Sequence, residues 1–377
     1  MGAPAARWAS AADMAARAPA WRDLADRAAE PNAFTDPDHM LAALRHLPSR
    51  GLRFLTLERD GRLDAVLPLR FSRTRWGVPL RVAVHHLAYA PHGTPLVANE
   101  GTDELCMALL HTLARQPGPP AALLLPFVSE AGAFAQGLAA ALERSGLAFA
   151  RFNSLARPAL RPGADGAAAL AAGVSRLAAK RRRLEREGGP LTVLSARDPV
   201  AAAVLLERFL ALEAAGWKGR RGTAAGQQAG LAAMFRESVA AFAARDCARL
   251  IGLEQAGELI AGAVLVGAQD RIWFYKTAYD ERRRRASPGV LLDLEVTRQL
   301  LDDPAIALAD SLATSEEAAF GRLWPARLPT ADWLVAVDPA ATHRFALAAK
   351  LEALRRRARV TAKRLVQAAR ARRGLKG

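Results

Sequence analysis

The chain has 377 residues, 51% hydrophobic and 24% charged, with a formal net charge of +16 and a pI near 11.1. That hydrophobic share excludes a disordered chain and leaves room for two packed units or one large one. Two cysteines exclude a disulfide framework and make a reducing compartment the default, and His85, His86 and His92 lack ligand spacing to any acid or cysteine, so no metal is expected. Arg7, Asp13, Arg17, Arg22, Asp23 and Asp26 interrupt the first thirty residues, which excludes an ordinary signal peptide there. No run approaches the roughly eighteen apolar residues of a spanning helix. The expectation is a cytoplasmic protein, peripheral at most to the inner membrane face.

Residues 1–30 read as a helical lead-in, with Trp21, Leu24 and Ala28 at helical spacing, ended by the stretch between Pro31 and Pro37. A short helix at 38–47 and a strand at 52–57 follow, and Asp60-Gly61 turns the latter into a hairpin with 63–71. Then come a strand at 81–87, a turn-rich loop at 90–95, a helix at 103–115 and a buried strand at 121–127. A helix at 131–145 and a strand at 147–152 complete a mixed α/β unit over residues 1–157. Residues 158–166, with Pro158, Pro162, Gly163 and Gly166, read as a linker.

The second unit, 167–340, opens with a strongly basic helix at 175–187 closed by Gly188-Gly189. A strand at 191–194, a helix at 199–215, a glycine-rich loop at 216–226 and a helix at 229–244 follow. A meander of 248–254 and 259–267, turning at Ala256-Gly257, leads into the aromatic strand 271–279. Arg282, Arg283, Arg284 and Arg285 then precede Ser287-Pro288-Gly289 and an apolar helix through Val290, Leu291, Leu292, Leu294 and Leu300. A short strand at 306–312 ends the unit. The tail, 341–377, carries twelve basic residues against the single acid Glu352, or +11 of the net +16. It reads as a basic amphipathic helix, docked on the body or lying against an anionic membrane surface or nucleic acid.

The junction at 271–292 is the main functional signal. Serine is a strong N-cap, proline suits the first helical turn, and glycine lets a ligand approach the backbone. The amides and dipole of a helix start favour an anion, and arginines stand just before it. Arg284, Arg285, Ser287, Gly289 and Val290 therefore describe a phosphate cradle. Tyr275 and Tyr279, four residues apart on a strand, fall on one face, with Lys276 on the other. Trp217-Lys218-Gly219 reads as a loop anchored by a buried tryptophan, or as one wall of an acceptor site.

These segments in order, Arg182 to Gly188, Trp217-Lys218-Gly219, Tyr275-Lys276, Ser287 to Leu292, Asp310-Ser311 and Leu323-Trp324, resemble the CelD/BcsL-type (BioF2-like) branch of the Gcn5-related N-acetyltransferases. The resemblance spans roughly residues 20–338 and is weaker in the first half. It implies tandem Gcn5-related folds with FemABX-like architecture, and transfer of an acyl group from acetyl-CoA or another acyl-CoA to an amine. The acceptor it implies is an envelope-polysaccharide or sugar precursor, and the cofactor loop falls on the Arg284 to Val290 segment. Asp310 is the leading candidate for a base or amine ligand, with Asp280 and Glu281 behind it. Tyr275 or Tyr279 is placed to protonate the departing sulfur. Related sequences often carry Asp-His-Pro-Met where this chain has Ser315-Glu316-Glu317-Ala318, so a histidine base is not expected. Two further readings stay open: an aminoacyl transferase using charged tRNA, and a catalytically silent subunit of an envelope-synthesis complex.

Overall fold

In the computed structural model, which describes residues 2–314 and 319–374, the chain begins with a strand, β1 (Ala5–Ala9), and not a helix. Trp8 faces Leu55 of β2 (Arg53–Arg59) across an antiparallel pair, and this cross-strand packing overrides the local alanine preference for helix. Ser10 and Asp13 form a capping box on α1 (Ala11–Ala16), α2 (Ala18–Asp26) buries Trp21 and Leu24, and Asp36 caps α3 (Pro37–His46). β2 turns into β3 (Arg62–Ser72) through Asp60 and Gly61, both at positive φ, as tight hairpin turns require. β4 (Val82–His85) and β5 (Leu96–Val97) pair with β3. α4 (Thr102–Ala114) carries the chain to β6 (Ala122–Ser129), parallel to β4, and α5 (Ala133–Ser145) leads to β7 (Phe149–Leu160).

The segment read as a linker holds the end of β7, a short turn and the start of α6 (Ala164–Gly188). Pro158 still serves the sheet there, because its carbonyl accepts from the Ser311 amide at 3.3 Å. The second half repeats the plan. β8 (Leu191–Ala196), α7 (Pro199–Ala215), the one-turn α8 (Trp217–Arg220) and α9 (Ala229–Ala243) precede the meander β9 (Ala248–Gln255), β10 (Glu258–Ala268) and β11 (Arg271–Tyr279). α10 (Pro288–Leu301) then returns the chain to β12 (Leu308–Asp310), parallel to β11. Each half is thus a meander, a crossing helix and a parallel return strand, the geometry that short right-handed connections favour.

Like β1 and β5, the last strand has no counterpart among the predicted elements. β13 (Ala326–Val335) leaves the second half and inserts between β6 and β7 of the first, antiparallel to both. Pro329 and Asp332 argue against a central strand, and the structure accommodates them by register shifts between Ala331 and Trp333 and between Thr330 and Asp332. The result is one 13-stranded sheet in the order β1-β2-β3-β4-β6-β13-β7-β12-β11-β10-β9-β8, with β5 set on β3. A hydrophobic core runs continuously from the first half under α7 and α9, and a second fills the opposite face under α6 and α10, around Phe274, Leu292 and Trp324. Arg245, just after α9, binds Asp36 (3.1 Å), Asp38 (2.9 Å) and Asp26 (2.7 Å) across the halves. Among the described residues no helix is long and apolar enough to cross a membrane.

The basic tail forms α11 (Thr342–Gly374), whose first part docks on the first half through Phe345, Ala348 and Glu352. The buried Glu352 carboxylate accepts from Arg75 (3.0 Å), Trp76 Nε1 (2.7 Å) and Arg356 (2.8 Å). Burial raises its pKa, but Arg75, Trp76 and Arg356 outweigh burial and hold it down to about 2. A depressed carboxylate contributes stability above its ordinary value, near 4.5, and loses it as pH falls through about 2. Glu352→Gln is expected to cost about 2–3 kcal/mol at pH 7, because two guanidiniums lose their counter-charge. Thermal unfolding of both proteins between about pH 5 and pH 2 checks this: the two midpoints should converge as the pH falls.

Candidate active site

Leu265 of β10 faces Phe274, but Val264 faces Lys276, so Tyr275 is an extra residue in the β11 ladder. Such a bulge reverses side-chain alternation beyond it, which overturns the face assignment drawn from spacing. Tyr275 and Lys276 both point toward α9: the Tyr275 ring stacks on Phe235 at 5.1 Å, and the Lys276 ammonium lies 5.2 Å from the same ring. Tyr279 turns the other way, onto Gly289. The parallel pairing with β12 reaches only to Trp273, so from Phe274 to Tyr279 that edge of β11 has no partner strand among the described residues.

The side chain at the centre of the α7 face is Glu213. It is buried, and it accepts from Lys218 Nζ (2.7 Å), Lys276 Nζ (3.3 Å) and the Ala225 amide (2.8 Å). Burial pushes this carboxyl up, but the Lys218 hydrogen bond, the Lys276 charge and the Ala225 amide together bring it below its ordinary value. Lys218 also donates to the Thr277 carbonyl (3.3 Å), tying the loop to β11. A Cβ on Gly219 would lie 1.7 Å from the Ala214 carbonyl, so only glycine lets α8 close against the end of α7. Trp217, expected as a buried anchor, is 44% exposed; its backbone amide is held by Glu281 (2.6 Å), which also pairs with Arg220. Glu213, Trp217, Lys218, Thr277, Tyr279 and Glu281 surround a cavity of about 150 Å³.

The first half contributes Tyr89, for which no motif or spacing argued. Its backbone is left-handed (φ 63), its phenol oxygen accepts from Lys276 at 3.4 Å, and its carbonyl accepts from the Tyr275 hydroxyl at 3.3 Å. Tyr275 is enclosed by Phe34, His39 and Phe235, and burial drives its phenol pKa well up. Glu213 did carry a signal: it continues the apolar stripe of Leu206, Phe209 and Leu210 at helical spacing, where a lone acid needs a partner.

At the start of α10 the structure corrects the role given to Ser287. The residue stands at the N-cap position, but its backbone is left-handed (φ 55) and its side chain makes no cap; the hydroxyl accepts from Lys180 Nζ of α6 at 2.8 Å. The Val290 and Leu291 amides bond back to the Ser287 carbonyl (3.0 and 3.1 Å), so the Val290 amide is already engaged. A Cβ on Gly289 would lie 3.1 Å from the Tyr279 ring, so the space read as room for a ligand is faced by that ring. Arg284 and Arg285 are exposed, and neither forms a salt bridge among the described residues. Lys180, Arg284 and Arg285 thus crowd the positive end of a helix dipole, a placement that an anion would stabilise.

Asp310 is not part of the cavity wall. It is buried against Arg157 (3.2 Å) and accepts the Leu312 amide (2.8 Å); burial raises its pKa and Arg157 opposes the rise. Asp280 accepts from the Arg282 amide (3.0 Å) as a local cap. Residues 315–318 lie outside the described residues. No group of three or more His, Cys, Asp or Glu among the described residues is arranged to hold a metal ion.

Residues 173–317 match a family model described as an acetyltransferase (GNAT) domain. No curated protein matches the chain in sequence. Among solved structures, the chain is similar to the C-terminal domain (DUF2156) of a proposed lysylphosphatidylglycerol synthetase from Agrobacterium fabrum, at 13% identity and TM-score 0.55 over 89% of this chain and 96% of that one. It is also similar to FemX (11% identity, TM-score 0.52, 84% of this chain and 95% of that one). A third is L-PGS from Bacillus licheniformis (14%, TM-score 0.51, 89% and 96%). The mixed α/β fold is therefore the tandem, FemX-like GNAT architecture that the sequence implied, and the acetyltransferase domain matched at residues 173–317 marks the protein as an acyltransferase.

Glu213→Ala would leave two ammonium groups facing each other and the Ala225 amide unpaired, an expected loss of about 2–4 kcal/mol in urea unfolding. Tyr275→Phe gives up one long bond to a carbonyl and should cost under about 1 kcal/mol. Equal losses would mean that the Glu213 cluster is not the organising contact.

Proposed function

We propose that the protein transfers an acyl group from acetyl-CoA, or another acyl-CoA, directly to an amine on a sugar or envelope-polysaccharide precursor, as in CelD/BcsL-type enzymes. The observation that carries this reading is the strandless edge of β11, whose last residue, Tyr279, touches both Gly289 of α10 and the Glu213 cavity. Lys180, Arg284, Arg285 and the Gly289 amide would hold the donor's diphosphate. The donor supplies an activated acyl carbonyl; the acceptor nitrogen bonds to it as the carbon–sulfur bond breaks. Amides on the open β11 edge polarise that carbonyl. The half-exposed Tyr279 phenol delivers a proton to the departing thiolate and recovers one from the acceptor nitrogen, a part closed to the enclosed Tyr275.

Lys218 and Lys276 exceed the single charge of Glu213, and Glu281 is matched by Arg220, so the cavity favours a hydroxyl-rich or acidic acceptor beside Trp217. Asp310 positions β12 rather than acting as a base, since Arg157 and the Leu312 amide engage its carboxylate. One observation favours the charged-tRNA reading as a second: Arg176, Lys180, Arg181, Arg182, Arg183 and Arg186 are all exposed on α6, a basic surface suited to a phosphate backbone. With the basic tail, the same surface suits an anionic membrane face.

Calorimetric titration with acetyl-CoA tests the donor site. Arg284→Glu combined with Arg285→Glu should weaken binding at least about tenfold with the ligand-free unfolding midpoint unchanged. Tyr279→Phe should lower kcat by about 10–100-fold with KM for the donor nearly constant. A wild type that ignores acetyl-CoA yet binds tRNA with steep salt dependence would replace the first reading with the second.

A further inference from the structure

The first half opens a second cleft, on the side where α11 docks. β4 and β6 run parallel as far as Val84 and Leu124. Beyond them Phe127 (φ 54) and Asn153 (φ 50) turn left-handed, and the β6–β13 register slips between Ala331 and Trp333. A cleft of about 450 Å³ results, floored by Val84, Leu124 and Phe127 and walled by Arg75 and by Arg355, Arg356 and Arg359 of α11.

Charge in this cleft does not balance. Glu352 takes Arg75 and Arg356, and Asp332 takes Arg356 at 2.6 Å. Arg355 reaches Glu352 only at 3.5 Å, and Arg359 has no ion pair among the described residues. Four guanidiniums against two carboxylates leave a net +2. Burial first, then the neighbouring Arg75, pulls the Arg355 pKa below its ordinary value, as expected where cations crowd without enough acid.

His85 supplies an independent sign of a ligand. It lines the cleft and is buried, with Nδ1 2.8 Å from the Gly93 carbonyl. A carbonyl only accepts, so the ring hydrogen sits on Nδ1 and Nε2 is a bare acceptor. Among the described residues that Nε2 is buried and has no hydrogen-bond partner. Burial lowers the imidazole pKa to about 3, so it stays neutral at ordinary pH. A buried acceptor without a donor, in the lining of a cleft with surplus guanidinium, asks for a ligand that brings both a hydroxyl and an anion.

We propose that this cleft binds a hydroxylated phosphate ester, its phosphate between Arg355 and Arg359 and a hydroxyl donating to His85 Nε2. A phosphate monoester carries about −1.5 to −2 charges near pH 7, which matches the surplus. The cleft does not repeat the donor site of the second half. The helix that corresponds to α10 here is α4, and its first turn carries Asp103 and Glu104, which repel a diphosphate. Since α11 provides three of the four arginines, a bound ester also braces the tail helix on the body.

Two probes separate the sources of such an ester: glucose 6-phosphate in solution, and phosphatidylcholine vesicles with or without phosphatidylinositol 4-phosphate. Saturable binding of either, weakened at least tenfold by Arg359→Glu, supports the site, and the probe that binds tells sugar phosphate from lipid headgroup. Arg359 is exposed and has no ion pair among the described residues, so this variant should keep the wild-type unfolding midpoint and acetyl-CoA affinity. Inorganic phosphate, which has no hydroxyl set apart from the phosphorus for His85, should bind more weakly than glucose 6-phosphate. Failure of both probes, unchanged affinity in Arg359→Glu, or displacement of the ester by acetyl-CoA would overturn the assignment.

Discussion

Strand β13 is hydrogen-bonded on both sides by strands of the first half, although the chain entering it comes from the second. That shared ladder is the constraint on which the rest of the molecule depends. It makes one sheet of two repeated units and fixes β7 so that Ala159 and Leu160 pair with β12. The Arg157–Asp310 pair seals the seam: Arg157 sits on β7, Asp310 on β12, and Arg157 also donates to the Pro91 carbonyl (3.0 Å). Breaking such a pair by removing one partner is costly, because the other charge is left buried. An enzyme built this way has little freedom to hinge at the middle of its sheet. The loop after β4 is therefore held where Tyr89 meets Lys276.

Within that frame a single extra residue shapes the site. Without the bulge at Tyr275, Lys276 would point toward α10, and the buried Glu213 would lose one of its two ammonium partners. With it, one strand serves both sides of the sheet. Lys276 completes a charge cluster with the α7–α8 loop, while Tyr279 packs over the start of α10. The early end of the β12 pairing opens the edge between them. Bulges beside active sites commonly re-aim side chains in this manner.

Much of this was legible from residues alone, for identifiable reasons. The run from Arg271 to Tyr279 is aromatic and β-branched, and its ends match the observed strand. Pro199 and Gly216 bracket α7 as first-turn and terminating residues do, and the helix spans Pro199–Ala215. Other features depend on partners far away in sequence. β13 contains Pro329 and Asp332, so its own residues argue against it; only the slot between β6 and β7 makes it a strand. The bulge is invisible because it is a mismatch with β10, not a property of β11. Ser287 has the identity of a cap, yet the left-handed turn after the arginines aims its hydroxyl at Lys180 instead. Asp310 looked reactive because it ends a strand, and the residue that engages it, Arg157, lies 153 positions earlier.

Arginine-rich composition alone would scatter positive charge over the surface, and much of it is in fact neutralised locally. Arg245 faces three aspartates, Arg157 faces Asp310, Arg271 faces Glu30, and Arg208 faces Glu254. Against that background the unmatched cations stand out by position. Lys180, Arg284 and Arg285 gather where a helix dipole already adds positive potential, and Arg355 and Arg359 gather where a neutral histidine offers a bare acceptor. Each cluster repels itself, and a net charge of this size already works against the compact state. Such repulsion is tolerated where binding an anion recovers the energy. The two clusters thus have the same electrostatic logic with different hardware: a helix terminus in one half, and a docked tail helix in the other.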